Sequence, residues 1–135
     1  MTRYLGIDLG SRRIGLAISD AKGVIATPFM TLNRSSDEQD ARAITELAHA
    51  EGATTAVLGM PFKLDGTRGE AAVVVEDFAS ALRAAGMRVR FVDERLTTAE
   101  AQKQLKARGM KGRKAREVID KTAATIILQA FLDTK

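Results

Sequence analysis

Acidic residues at three separated places in the chain, Asp8, the neighbours Asp93 and Glu94, and Asp120, have settings in which a carboxylate could do chemistry. Asp8 interrupts an alternating apolar run. An acid inside a central strand must be paired, solvated at the strand end or bound to a cation. Gly6 and Gly10 flank it and leave room for a ligand to approach. The competing reading makes Asp8 a structural salt-bridge residue and the glycines features of twist or turn. Asp93 and Glu94 follow the apolar end of a strand, where ligands gather in α/β sheets; alternatively they cap the next helix and pair with Arg95. Asp120 precedes Lys121-Thr122-Ala123-Ala124, whose small side chains would let a helix lie close to a sheet. Equally well, Asp120 is an exposed partner of Arg116 or Lys121, worth a few tenths of a kcal/mol at about that spacing.

Brought together, these acids would need a cation, because like charges about 4 Å apart repel by roughly 4 kcal/mol at an effective dielectric near 20. All-oxygen ligands favour Mg²⁺ or Mn²⁺ over zinc. Two such ions about 4 Å apart can stabilise both the attacking and the leaving oxygen in phosphodiester hydrolysis, with no protein nucleophile. Other chemistries are excluded by composition. There is no cysteine, hence no disulfide, thiolate zinc site or Cys nucleophile. The only histidine, His49, falls beside Glu51 in the first expected helix and reads as a surface residue.

The elements that would carry these residues follow from periodicity. Residues 3–9 alternate Tyr4, Gly6, Asp8 against Leu5, Ile7, Leu9, the period of a strand. Residues 10–13 connect it to a second strand, residues 14–19, in a hairpin. Residues 24–32 form a third extended segment in which Pro28 demands an edge or a bulge. Ser36 or Asp37 then caps a helix on Ala41, Ile44, Leu47 and Ala48 that Gly52 ends. A strand at 54–59, a polar loop at 60–69, a helix at 70–85 with Val74, Phe78 and Leu82 inward, and a strand at 88–92 come next. Thr97 or Thr98 caps a helix to about residue 107, with Glu100 in a capping-box position. Residues 108–113 form a loop. A last helix spans about 115–132, with Ile119, Ala123, Ile126, Ile127, Ala130 and Phe131 inward. Three antiparallel strands followed by βα units describe an α/β fold: a five-stranded mixed sheet, first strand near the centre, helices on both faces.

At 135 residues and 45% hydrophobic content the chain fits a single domain, residues 1–135. No stretch has the length of a signal peptide core or a membrane span, so a cytoplasmic location without membrane partners is expected. The net charge of +4 is unevenly placed. Between 103 and 121, eight basic residues oppose Glu117 and Asp120, a local balance of +6 that leaves −2 for the remainder. Such segregation suits a nucleic-acid binder, since phosphate contacts release condensed counterions; a solvated helix face with a basic loop is the plainer account.

The strings Gly6-Ile7-Asp8-Leu9-Gly10-Ser11-Arg12-Arg13-Ile14-Gly15, Gly59-Met60-Pro61, Asp65-Gly66-Thr67, Asp93-Glu94-Arg95-Leu96-Thr97-Thr98 and Ile119-Asp120-Lys121-Thr122-Ala123-Ala124 occur in this order across nearly the whole chain. Together they resemble the YqgF family of Holliday-junction resolvases and precursor-16S ribosomal RNA nucleases. The Asp-Glu-Arg-Leu-Thr-Thr run is the most distinctive. Met60 stands where the family pattern more often has Leu, a conservative departure. The resemblance implies a ribonuclease H-like fold and metal-dependent phosphodiesterase chemistry, a hydrolase maturing the 5′ end of precursor 16S ribosomal RNA. It also implies Asp8, Glu94 and Asp120 as the catalytic and metal-holding set, and favours Glu94 over Asp93. Arg12, Arg13, Lys63, Arg68, Arg95, Lys111, Arg113 and Lys114 then become candidate nucleic-acid contacts, although loop solubility explains them nearly as well. One Tyr, five Phe and no Trp leave few stacking platforms, so duplex or junction shape is the expected determinant.

Three alternatives compete with RNA processing. One is resolution of branched DNA, which favours a symmetric dimer where RNA trimming needs one site, so monomer or weak homodimer is expected. Another is an assembly factor that binds RNA without cutting it. A third is an actin-like ATPase, suggested by Asp8-Leu9-Gly10, but such enzymes close a second domain over nucleotide.

Overall fold

The computed structural model describes residues 2–63, 65–96 and 113–135, and their side chains except those of residues 96 and 113–120. The opening alternation becomes strand β1, Arg3–Leu9, which pairs antiparallel with β2, Arg13–Ser19. The Gly10 amide donates to the Arg13 carbonyl at 2.9 Å, so Ser11 and Arg12 form the hairpin tip. Strand β3, Ala26–Asn33, pairs antiparallel with β2 and lies at the sheet edge. Pro28 satisfies both expectations: it is on that edge, and it adjoins an irregularity where partners pass from Leu16 and Met30 to Ala17 and Pro28.

β3 begins two residues later than its apolar pattern predicts. Val24 and Ile25 belong to the preceding turn, where their amides donate to Asp20 Oδ1 at 2.7 and 3.0 Å. These bonds, Ile25's foremost, hold the Asp20 carboxyl below its ordinary pKa. The turn thus leaves Val24 and Ile25 exposed.

Helix α1, Asp37–Ala50, starts at Ser36, whose Oγ accepts from the Gln39 amide at 3.1 Å, and the chain leaves it through Gly52 at φ +79°. Strand β4, Ala53–Met60, runs parallel to β1. Helix α2, Glu70–Ala84, leads to β5, Arg88–Asp93, parallel to β4, and a 3₁₀ turn at Glu94–Leu96. Helix α3 spans Arg113–Thr134, so Arg113, expected in a loop, is helical. The helix expected at 97–107 and the loop at 108–112 lie outside the described residues. The sheet order is β3-β2-β1-β4-β5, with β1 central.

Strand alternation divides the core between two faces. Leu5, Ile7, Leu16 and Leu58 pack beneath α1 and α2 through Ile44, Phe78 and Leu82. Ala17 and Val57 face α3 through Ala124, Ile127, Leu128 and Phe131. Val74 does not point inward as predicted; it is 52% exposed, and Val75 is buried instead. At about 100° per residue, the buried stripe of Ala72, Val75, Phe78, Ala79 and Leu82 leaves Val74 roughly a quarter-turn off its centre. On α3 the inward stripe includes Ala124 and Leu128, which the predicted set omits, while Ile126 and Ala130 are only half-buried. Ile119 lies among the undescribed side chains.

Helix α3 comes down closely on the sheet at Gly6. A Cβ there would stand 2.6 Å from Leu128 Cβ and 2.9 Å from the Ala124 carbonyl oxygen. Neither group is a flexible side-chain end. Gly6→Ala is therefore expected to destabilise the fold by about 2 kcal/mol, the range of core overpacking, measured by urea unfolding. An unchanged midpoint would show that α3 can move away freely.

Candidate active site

Strands β1, β4 and β5 are mutually parallel, so their carboxyl ends reach one edge of the sheet. Asp8 shares the α3-facing side of β1 with Gly6 by alternation, and is 6% exposed. Ile7 pairs with Leu58, so one step further Asp8 comes level with Gly59 of β4. Gly59 is a cradle with no Cβ. One built there would meet Glu94 Oε1 at 2.5 Å, Glu94 Cγ at 2.8 Å and Ile127 Cδ1 at 2.9 Å. The 3₁₀ turn after β5 thus folds the Glu94 side chain back over β4, beside the strand that carries Asp8. Parallel neighbours are about 4.8 Å apart. Asp8 and Glu94 line a common cleft of about 520 Å³.

Asp120 lies on α3, one helical turn before Ala124. The contacts fix the direction of this helix: the Phe131 ring packs tilted against Tyr4 with ring centroids 5.3 Å apart, and Ala124 covers Gly6. Moving from Tyr4 toward Asp8 on the strand therefore means moving toward the helix N-terminus. Four helical residues advance about 6 Å and two strand residues about 6.6 Å, so the backbone at 120 comes level with Asp8. The Asp120 side chain is outside the described set. Among the described residues no three His, Cys, Asp or Glu side chains gather as a metal-binding group. Asp8 and Glu94 supply oxygen donors only, and the space left by Gly59 admits the second, a donor set that suits a hard divalent cation better than it suits zinc.

Asp93 follows the plainer of its two readings. The Arg95 guanidinium donates from Nε at 3.1 Å and from Nη2 at 2.7 Å to its carboxylate, and the Arg95 amide donates at 2.9 Å. This partner holds the Asp93 carboxyl below its ordinary pKa and raises that of Arg95. Glu94, the next residue, is thereby turned toward the cleft. The Asp65-Gly66-Thr67 string is an Asx turn: Asp65 Oδ1 accepts from the Thr67 amide at 2.9 Å and its hydroxyl at 2.6 Å, with Gly66 at φ +87°. The turn sits against Arg95.

The candidate contact residues scatter around this edge. Arg12 is exposed at the hairpin tip and Lys63 is exposed in the loop after β4. Arg13 is half-buried. Arg68 is ion-paired with Glu76. Arg95 lines the cleft over the Phe62 ring, 5.5 Å from its centroid. Arg113 and Lys114 begin α3 with side chains outside the description, and Lys111 is outside it altogether. His49 is exposed on α1, as expected.

Sequence reasoning missed Arg34, which lines the same cleft. Its amide donates to the Arg12 carbonyl at 2.8 Å, and its Nη1 to the Gly10 carbonyl at 3.1 Å. Nε reaches the buried Asp40 at 3.0 Å. Asp40 also accepts from the Ser35 amide at 3.0 Å. This network ties the loop following Asp8 to the start of α1. An Arg just after a strand carries no pattern that would have announced it.

Residues 2–134 match the family described as RuvX, Holliday junction resolvase. A curated relative from Anaeromyxobacter sp. (strain K), named "Putative pre-16S rRNA nuclease", is 42% identical over 134 residues, covering 98% of each chain. A relative of the same name from Mycobacterium leprae (strain Br4923) is 44% identical over 133 residues, 97% of this chain and 72% of the relative. Among solved structures, T. thermophilus RuvC in complex with a Holliday junction substrate superposes with a TM-score of 0.58 at 17% identity, covering 99% of this chain and 95% of that one. The Fowlpox virus resolvase in its Holliday junction DNA complex gives 0.52 at 9% identity and 98% coverage of both. These two likenesses establish a shared fold.

The Asp93 carboxyl should titrate below its ordinary value in NMR experiments, and Arg95→Gln should move it up toward that value. Because the folded pKa is depressed, the pair contributes stability above the ordinary carboxylate pKa and loses it as pH falls through the depressed one. No movement in the variant would mean the pair is not formed in solution.

Proposed function

This chain belongs to the RuvX Holliday junction resolvase family of nucleases, and we propose that it is a metal-dependent endonuclease whose substrate is precursor 16S ribosomal RNA, cut toward its 5′ end. The observation that carries this reading is the shared cleft of Asp8 and Glu94, with Gly59 bare beneath Glu94. Curated relatives above 40% identity bear the name of a pre-16S rRNA nuclease, which favours RNA. The family description favours branched DNA as the second reading. Work on precursor ribosomal RNA would place the protein in the cytoplasm, and one site per molecule would suffice, as a monomer.

In this proposal Asp8, Glu94 and Asp120 hold Mg²⁺ or Mn²⁺. When bound, divalent metal supplies Lewis-acid stabilisation of charge on the reacting phosphodiester and lowers the pKa of a water. The residues of the chain position and screen. Asp8 is fixed by the central strand and by the Arg34 anchor on Gly10. Glu94 is fixed by the 3₁₀ turn that Asp93 and Arg95 clasp. Arg12 at the hairpin tip and Lys63 in the loop after β4 meet backbone phosphates at the rim, where a flexible charged side chain can follow the strand. Pro61 and Phe62 give the cleft an apolar wall that limits water.

Asp8→Asn should abolish Mn²⁺-dependent cleavage of precursor RNA and weaken Mn²⁺ binding in calorimetry, with thermal unfolding preserved; full activity in that variant rejects the assignment. Gly59→Ala separates the site from the fold. Its Cβ meets the Glu94 side chain first and then the tip of the buried Ile127, with no backbone atom among these nearest contacts, so stability should fall by no more than about 1–3 kcal/mol. Displacing Glu94 should nevertheless lower Mn²⁺ affinity and cleavage by about tenfold or more, as when a ligand loses its orientation. Running a four-way DNA junction beside the RNA decides between the two substrates.

A further inference from the structure

A second cleft, of about 470 Å³, lies beside the first, and Phe62 belongs to both linings. Each cleft pairs an aromatic ring with a guanidinium: Arg95 lies over Phe62 at 5.5 Å, and Arg83 of α2 lies over Phe91 of β5 at 5.9 Å. Phe91 is 39% exposed, although it sits on the α2 side of the sheet where Phe78 is fully buried. Arg68, also on this lining, has its charge met by Glu76. Arg83 is exposed, and among the described residues it forms no ion pair. Here, then, a partly exposed ring carries on one face a positive charge that, among the described residues, no carboxylate offsets.

We infer that Phe62, Arg83 and Phe91 form a track for a single-stranded nucleic-acid segment leading away from the acidic cleft. Base stacking needs an accessible ring face, and a cation beside that ring both strengthens the stack and meets a phosphate. A duplex offers no such partner, because its bases are already stacked on one another and its outer surface is backbone. Phe62 borders both clefts, so a strand whose phosphate lies at Asp8 and Glu94 can pass this ring and set its next unpaired bases on Phe62 and Phe91. The aromatic scarcity noted in the sequence is thereby offset by placement: two of the five Phe stand at this edge. The direction of the track rests on the nuclease reading; the binding surface does not.

The test measures binding of the full-length chain to a short fluorescein-labelled oligouridine and to a blunt RNA duplex of equal length, by anisotropy with EDTA present so that nothing is cleaved. Phe91→Leu, which keeps apolar bulk and removes the ring, should weaken oligouridine binding by about tenfold, within the range for loss of one base–aromatic stack. Phe91→Trp should retain it. Arg83→Gln should weaken it and flatten its salt dependence. Duplex affinity and thermal unfolding should be unchanged in all three. Equal loss for duplex and single strand, wild-type oligouridine affinity in Phe91→Leu, or no measurable oligouridine binding by the wild type overturns the track. Cleavage by Asp8→Asn, assayed in parallel, fails or survives independently, so a wrong active site is distinguishable from a wrong track.

Discussion

The rest of the structure depends on how closely α3 can lie on the centre of the sheet. Gly6 permits that contact by having no side chain where Leu128 and the Ala124 carbonyl come down. Tyr4 and Phe131 hold the far end, with Arg90 stacked over the Phe131 ring at 5.6 Å. Two anchored points on a rigid helix determine its direction along β1. The N-terminal turns of α3 are therefore directed toward the strand ends where Asp8 and Glu94 share a cleft. A bulkier residue at 6 would lift the helix, and the far end of that lever is the part that carries Asp120.

The opposite layer serves the same edge differently. Arg34 gathers Asp37, Asp40 and the Gly10 carbonyl, and Asp40 in turn receives the Ser35 amide. A buried ion pair is tolerable only when its remaining hydrogen-bonding capacity is satisfied, because desolvation otherwise exceeds the attraction. Here backbone groups complete the set. Strand β1, the hairpin loop and the start of α1 thus become one rigid corner around Asp8, and the pairing of Arg95 with Asp93 does the same for Glu94.

Much of this architecture was legible in the residue pattern. The alternation around Asp8 marked the central strand, Ser36 and Gly52 marked both ends of α1, and Pro28 marked an edge and an irregularity that both exist. Errors arose where local chemistry overrode apolar character, as at Val24 and Ile25, whose amides are captured by Asp20. The face of α2 was misjudged by one residue because Val73, Val74 and Val75 are alike, and only packing chooses among them. At the site, an acid in a strand was visible as an anomaly. The space above Gly59 and the anchoring role of Arg34 were not, since both arise from contacts between segments distant in sequence. Arg95 was read as a candidate nucleic-acid contact from its neighbourhood alone; its pairing with Asp93 and its place over the Phe62 ring come from packing that the residue pattern does not display.

The connectivity of the sheet also determines when such a site can exist. β1 finds its antiparallel neighbour within a few residues, but its parallel neighbour β4 only after the whole of α1 has been made, and the covering helix comes from the last segment of the chain. Local hairpins form early in folding, whereas contacts between distant segments close late. A polypeptide still being synthesised would have Asp8 in place and lack both β5's turn and the roof of α3. The cleft that Asp8 and Glu94 share is therefore assembled from segments far apart in the chain, and it is complete only once β5, its turn and α3 have all joined β1.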